Sequence, residues 1–132
     1  MLHDRLVRAL SAMLLVPGVL HFLTPQPFDS IVPDEIPGSK RFWTYASGAA
    51  EVGIGAAVLA PRTRRTAAGL AAALFVAVFP ANVNMIRLWV DESPLMKSIA
   101  WARLPLQIPM IALALLVRRG ASKPETTETT TD

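Results

Sequence analysis

The sequence predicts an all-α fold: a polytopic membrane protein built as an antiparallel four-helix transmembrane bundle. Three observations predict it. Of 132 residues, 52% are apolar and only 17% charged, too few charges to cover a soluble domain of this size. The apolar residues gather into four blocks, each near the roughly 20 residues a helix needs to cross a bilayer. Lys and Arg flank these blocks and form no basic face, which speaks against nucleic-acid binding. The chain has no cysteine, so disulfides, thiol redox chemistry, iron–sulfur clusters and cysteine-ligated zinc are excluded.

The first block, 6–23, follows Arg5 and is read as a retained span, because Thr24-Pro25-Gln26-Pro27 follows it instead of a small-residue cleavage site. Residues 24–43 are dense in proline and carry Asp29, Asp34 and Glu35. Phe28, Ile31, Val32 and Ile36 make the segment too apolar for a free linker. It is expected to lie as an ordered cap at the membrane surface, with Phe42, Trp43 and Tyr45 as interfacial anchors. The second block, 44–60, is rich in small residues (Ser47, Gly48, Gly53, Gly55), which let helix backbones approach closely in lipid. Pro61 and Arg62, Arg64 and Arg65 end it in a turn short enough to make the next helix its antiparallel neighbour. The third block, 66–89, holds Phe79-Pro80-Ala81-Asn82-Val83-Asn84-Met85, one proline and two carboxamides in greasy sequence. The fourth, 98–117, contains Arg103, Pro105, Gln107 and Pro109. A domain over 1–119 is expected, with 120–132 too polar to pack a core and therefore a disordered tail.

Orientation follows from the flanking cations. Arg5, Arg8, Arg62, Arg64, Arg65, Arg118, Arg119 and Lys123 lie at one end of the spans. Lys40, Arg41, Arg87 and Lys97 lie at the other, offset by acids. The positive-inside rule then puts both termini in the cytoplasm and the proline-rich loop outside.

Counted from the outer span ends at a rise of about 1.5 Å per residue, His21 lies about 3 Å deep and Arg103 about 8 Å. Glu51 and Asn82 lie about 10 Å deep, and Gln107 about 13 Å. Polar groups from four helices at similar depth point to a polar pocket in the outer half of the membrane, capped by the first loop. Within the helices, Ser47, Glu51 and Gly55 share a face, as do Arg103 and Gln107. Pro80, Asn84 and Arg87 share another, with Asn82 nearly opposite, so an undistorted helix aims only one asparagine at the pocket. Pro80 clashes with the carbonyl of Val76 and donates no N–H, which makes distortion plausible.

A carboxylate at the depth of Glu51 must be protonated or paired. It is the candidate chemical centre; its structural alternative is an ion pair with Arg103 that fixes helix packing. His21 titrates near neutral pH and suits proton transfer; its alternative, the commoner one for an imidazole near a span end, is to meet the interface. Arg103, Gln107, Asn82 and Asn84 are candidate ligand contacts; their alternatives are snorkelling for Arg103 and glue at the proline kinks for the amides. Met13, Met85 and Met110 read as packing. With one deep histidine and no cysteine, no metal or haem site is expected.

These residues resemble the DoxX-like family of small four-helix membrane proteins. The similarity is carried by Gly18-Val19-Leu20-His21-Phe22 with Ile31-Val32-Pro33, and by Ser47-Gly48-Ala49-Ala50-Glu51. It continues through the basic turn after Pro61, Phe79-Pro80-Ala81-Asn82 and Arg103-Leu104-Pro105-Leu106-Gln107, over about residues 5–118. The family takes its name from a membrane subunit of a thiosulfate:quinone oxidoreductase, so the resemblance implies a quinone or redox association and a membrane or redox partner protein. Two functions are expected on this basis. One is an oxidoreductase-associated subunit binding a quinone or similar lipophilic molecule, with Glu51 and His21 handling protons. The other is a non-catalytic membrane module whose polar network is structural.

Overall fold

A computed structural model of the chain describes residues 1–121. Its regular structure is all helical, with no strand among the described residues. Helix α1 (Leu2–Leu23) runs without a break through Pro17, which removes only the donor that the Met13 carbonyl would meet. The Thr24 N–H closes its last turn on Leu20 O, and Pro25 opens the single-turn α2 (Pro25–Asp29). Gly38 takes a φ of 97°, a left-handed conformation that glycine adopts freely. Ser39 then caps α3 (Lys40–Leu59), its side chain accepting from Phe42 N at 3.1 Å. This cap starts α3 four residues before the expected 44.

The third block is not one helix. α4 (Arg64–Ala77) and α5 (Phe79–Leu88) meet at Val78, because Pro80 cannot continue the hydrogen-bond ladder of the preceding turn. α6 (Pro94–Gly120) starts at the Ser93 cap, before the expected 98, and passes through Pro105 and Pro109 unbroken. Gly120, expected in the tail, is the last residue of α6, and residues 122–132 of that tail lie outside the described ones.

Three stretches are long and apolar enough to cross a membrane: Leu2–Leu23, Arg64–Leu88 and Pro94–Gly120. α3 is not among them, since Glu51, Ser47 and three glycines dilute its hydropathy. The exposed surface of the spans is apolar, as at Val16, Leu70, Val76, Leu116 and Ile108, the last 73% exposed. Water-soluble surfaces rarely present so much contiguous hydrocarbon.

α1 packs on α3 and α6, α3 on α4, and α4 on α6, closing a ring of helices around one core. Its arginine-flanked half is dry: Leu10, Leu14 and Val58 are fully buried against Ala67, Ala68 and Ala71 of α4 and Val117 of α6. Alanines here let α4 and α6 lie close, and Ser11 Oγ is satisfied by donating to Gly55 O at 2.9 Å. At the other end a smaller cluster of Ile31, Met85 and Ala100 seats the proline-rich loop on α5 and α6.

Candidate functional site

Between the dry core and the loop lies a cavity of about 340 Å³. Met13, Pro17 and His21 line it from α1, Thr44, Ser47 and Glu51 from α3, and Leu74 and Phe75 from α4. Asn82 of α5 and Arg103, Leu106, Gln107 and Met110 of α6 complete the wall, with Phe28, Ile31 and Val32 as the roof. Trp43, Arg103 and Leu106 are also exposed, marking where the cavity meets its surroundings.

Glycines bring the α1 and α3 walls together. A Cβ on Gly48 would lie 2.7 Å from His21 Cβ, and one on Gly18 would lie 2.9 Å from Glu51 Cβ. His21 and Glu51 are therefore neighbours, with Nδ1 3.3 Å from Oε2. The shorter contact of Nδ1 is 2.6 Å, to Pro17 O. A carbonyl only accepts, so Nδ1 carries a proton and donates it to Pro17. Glu51 Oε2 is off that axis and has no hydrogen-bond partner, although it is buried. The imidazole is held flat on Phe28, with ring centroids 3.7 Å apart.

Opposite, Arg103 Nε donates to Asn82 Oδ1 at 3.2 Å, which leaves Nδ2 as the free amide donor of Asn82. No Glu51–Arg103 ion pair forms; the guanidinium turns to Asn82 instead. Gln107, 6% exposed, gives its Nε2 to Phe75 O in the turn that Pro80 interrupts, and its Oε1 stays buried without a partner. Of the six residues singled out in the sequence, Glu51, His21, Arg103, Gln107 and Asn82 thus converge on one cavity. Asn84 does not line it. Its Nδ2 donates to Ile31 O at 3.0 Å and ties the loop to α5.

Thr44, Trp43 and the loop residues of the roof escaped sequence reasoning as site residues. Thr44 had a signal: it lies seven residues before Glu51, on the same helical face. Phe28 and Val32 signalled a cap through their apolarity, but only the folded loop brings them over His21. Met13 and Met110, read as packing, also face the cavity.

The roof is held by ion pairs: Lys40–Asp34 at 2.7 Å, Arg41–Asp29 at 2.9 Å and Arg87–Glu35 at 3.4 Å. Desolvation alone would raise the Asp29 carboxyl, but the neighbouring Thr44 hydroxyl and Arg41 guanidinium outweigh it and hold it below the usual carboxylate range. Thr44 Oγ1 and Asp29 Oδ1 are both buried without a hydrogen-bond partner, so the Arg41 guanidinium, bonded to Asp29 Oδ2, is the firmer hold. The hydrogen bond and charge of Lys40 likewise hold Asp34 low. Carboxyls lowered by folding stabilise the fold above their unfolded pKa, about 4, and lose that contribution as pH falls through the lowered value. Hydrogen exchange of residues 30–39, corrected for intrinsic rate, should therefore stay protected from pH 7 down to about 4 and open below it. Asp29→Asn should open the loop already at pH 7. Loss of protection between pH 7 and 5, or an unaffected Asn variant, would show that these pairs do not hold the roof.

A family model described as a domain of unknown function (DUF8561) matches residues 10–118, from the middle of α1 to the last turn of α6. The chain belongs to the DUF8561 family. The DUF8561 match takes in every residue lining the cavity and all of the loop above it. No curated protein and no solved structure matches the chain.

Proposed function

We propose that this protein is a four-helix integral membrane protein that binds a small lipophilic molecule of the quinone class in the loop-capped cavity. In this reading α3 is the fourth crossing, both termini are cytoplasmic in the cell membrane, and the cavity lies in the outer leaflet. One observation carries the proposal: a cavity of about 340 Å³ gathers the polar side chains of four helices while its other walls stay apolar. A buried, mostly apolar cleft with a few convergent polar groups is the usual form of a small-molecule site. The arginine distribution supports the orientation, and the DoxX-like resemblance supports a quinone ligand and a redox partner protein in the membrane.

Within the site, Arg103 and Asn82 Nδ2 are the donors available to a ligand carbonyl. Glu51 and His21, side by side, are the pair that could take up or deliver its proton. The second reading, a non-catalytic packing module, is favoured by Gln107 and Asn84, whose donors are both spent on backbone carbonyls.

Trp43 lines the cavity and gives the test. In a Trp89→Phe/Trp101→Phe background, titration with a short-chain benzoquinone should quench the remaining tryptophan saturably. Arg103→Ala should weaken that binding about tenfold, the worth of one hydrogen bond to a charged group. Quenching that rises linearly without saturating, and equally in the Ala variant, reports collisions in the detergent and removes the proposal.

A further inference from the structure

We infer that the outer face of α3 and α4 holds an anionic phospholipid, with its headgroup at Arg62 and an acyl chain in the groove between the helices. The groove encloses about 510 Å³ and is separate from the loop-capped cavity, sharing no lining residue with it. Ala49, Gly53 and Ala57 form its floor on α3, Leu70 its far wall on α4, and Arg62 and Thr66 its basic end. Along α3 the floor spans about 12 Å, a large part of one acyl chain. A Cβ on Gly53 would meet nothing within 4 Å, so the groove is open and unfilled by the chain itself.

Charge selects the occupant. At the loop end of the molecule, Lys40, Arg41 and Arg87 each have an acidic partner. At the other end, the acid among the described residues is Asp4, paired with the N-terminus at 3.8 Å. Arg64 caps the carbonyls of Val58 and Leu59, where α3 ends, and Arg65 and Arg118 donate to each other's carbonyls. These bonds hold the guanidiniums without an acidic partner among the described residues. Arg62 alone in this turn makes no hydrogen bond or ion pair among the described residues, and it is exposed at the mouth of the groove. An apolar channel ending in an exposed guanidinium matches a ligand with an apolar chain and an anionic head.

A second copy of the chain is a poorer fit. Copies inserted in the same sense and joined by a two-fold axis through this groove would bring their arginine clusters together.

The test is lipid binding to the purified full-length chain in a neutral detergent, followed by native mass spectrometry with phosphatidylglycerol, phosphatidylcholine or soluble glycerol phosphate. Phosphatidylglycerol should bind at least about fivefold more tightly than phosphatidylcholine, and Arg62→Gln should remove that preference, the effect of one cation near a lipid surface. Gly53→Leu, filling open space, should weaken both lipids about tenfold or more, since it displaces several methylenes. Equal binding of the two lipids would overturn the inference, as would glycerol phosphate competing as well as the whole lipid. So would a dimer that Gly53→Leu abolishes while lipid binding persists. Arg62 is solvent-exposed and its Gln variant should fold, so the charge arm stands even if the Leu variant accumulates poorly.

Discussion

Gly18→Val should cost about 3 kcal/mol of stability, the upper end of what overpacking a tight interface costs. The reason is that the space is already taken. A Cβ at Gly18 would lie 2.9 Å from Glu51 Cβ, 3.0 Å from Val52 Cγ2 and 3.1 Å from the Val52 backbone nitrogen. Side chains can rotate away from such a contact, but the backbone of α3 cannot, so α1 and α3 must separate. In lipid that separation is not resisted by water; what is lost is the van der Waals contact of two closely approached backbones. Gly53→Val, on α3, is the control, because its Cβ points into open space, and it should change stability by no more than about 0.5 kcal/mol. Equilibrium unfolding in detergent micelles measures both. Equal effects from the two variants would mean that α1 and α3 do not touch through glycine. Gly18→Val should also abolish benzoquinone quenching of Trp43, since it pushes the Glu51 wall out of place.

Glu51→Gln separates the two functional readings. Glu51 Oε2 is buried without a hydrogen-bond partner, and its near neighbour His21 directs its Nδ1 proton to Pro17. Replacing a buried acid whose Oε2 has no hydrogen-bond partner should leave stability unchanged or raise it by about 1 kcal/mol. If Glu51 handles the ligand's proton, the same substitution should weaken quinone binding at least tenfold, about the worth of a charged hydrogen bond. A structural Glu51 gives the opposite pattern: lower stability on Gln substitution with quenching intact. Measuring both quantities on one preparation decides the matter, and a stable variant with undiminished quenching would leave Glu51 with neither role.

Much of this was written in local sequence. The polar groups of the cavity could be anticipated because each interrupts an apolar block, and depth along a helix follows from counting residues. Thus Glu51, His21, Arg103, Gln107 and Asn82 could be assigned to the same half of the helices before any contact was known. Their partners could not. The ion pair of Glu51 with Arg103, the structural alternative, rests on charge alone, yet Arg103 bonds Asn82, because the helix breaks at Val78 and α5 presents that amide to α6. Asn82 and Asn84 illustrate the same boundary. Helical spacing puts them on opposed faces, but the docked loop determines that Asn84 meets the Ile31 carbonyl while Asn82 faces the cavity.

Composition and periodicity alone determined the helical class and the long apolar stretches of the first, third and fourth blocks, because each depends on local spacing or on transfer from water to lipid. The break at Val78 also followed from one residue, Pro80, which lacks the N–H that a helix needs. Folding decided the roof of Phe28, Ile31 and Val32, the stacking of His21 on Phe28, and which polar atoms remain without partners. Those outcomes depend on the relative placement of segments far apart in the chain, and no local rule of propensity, charge or period encodes that placement.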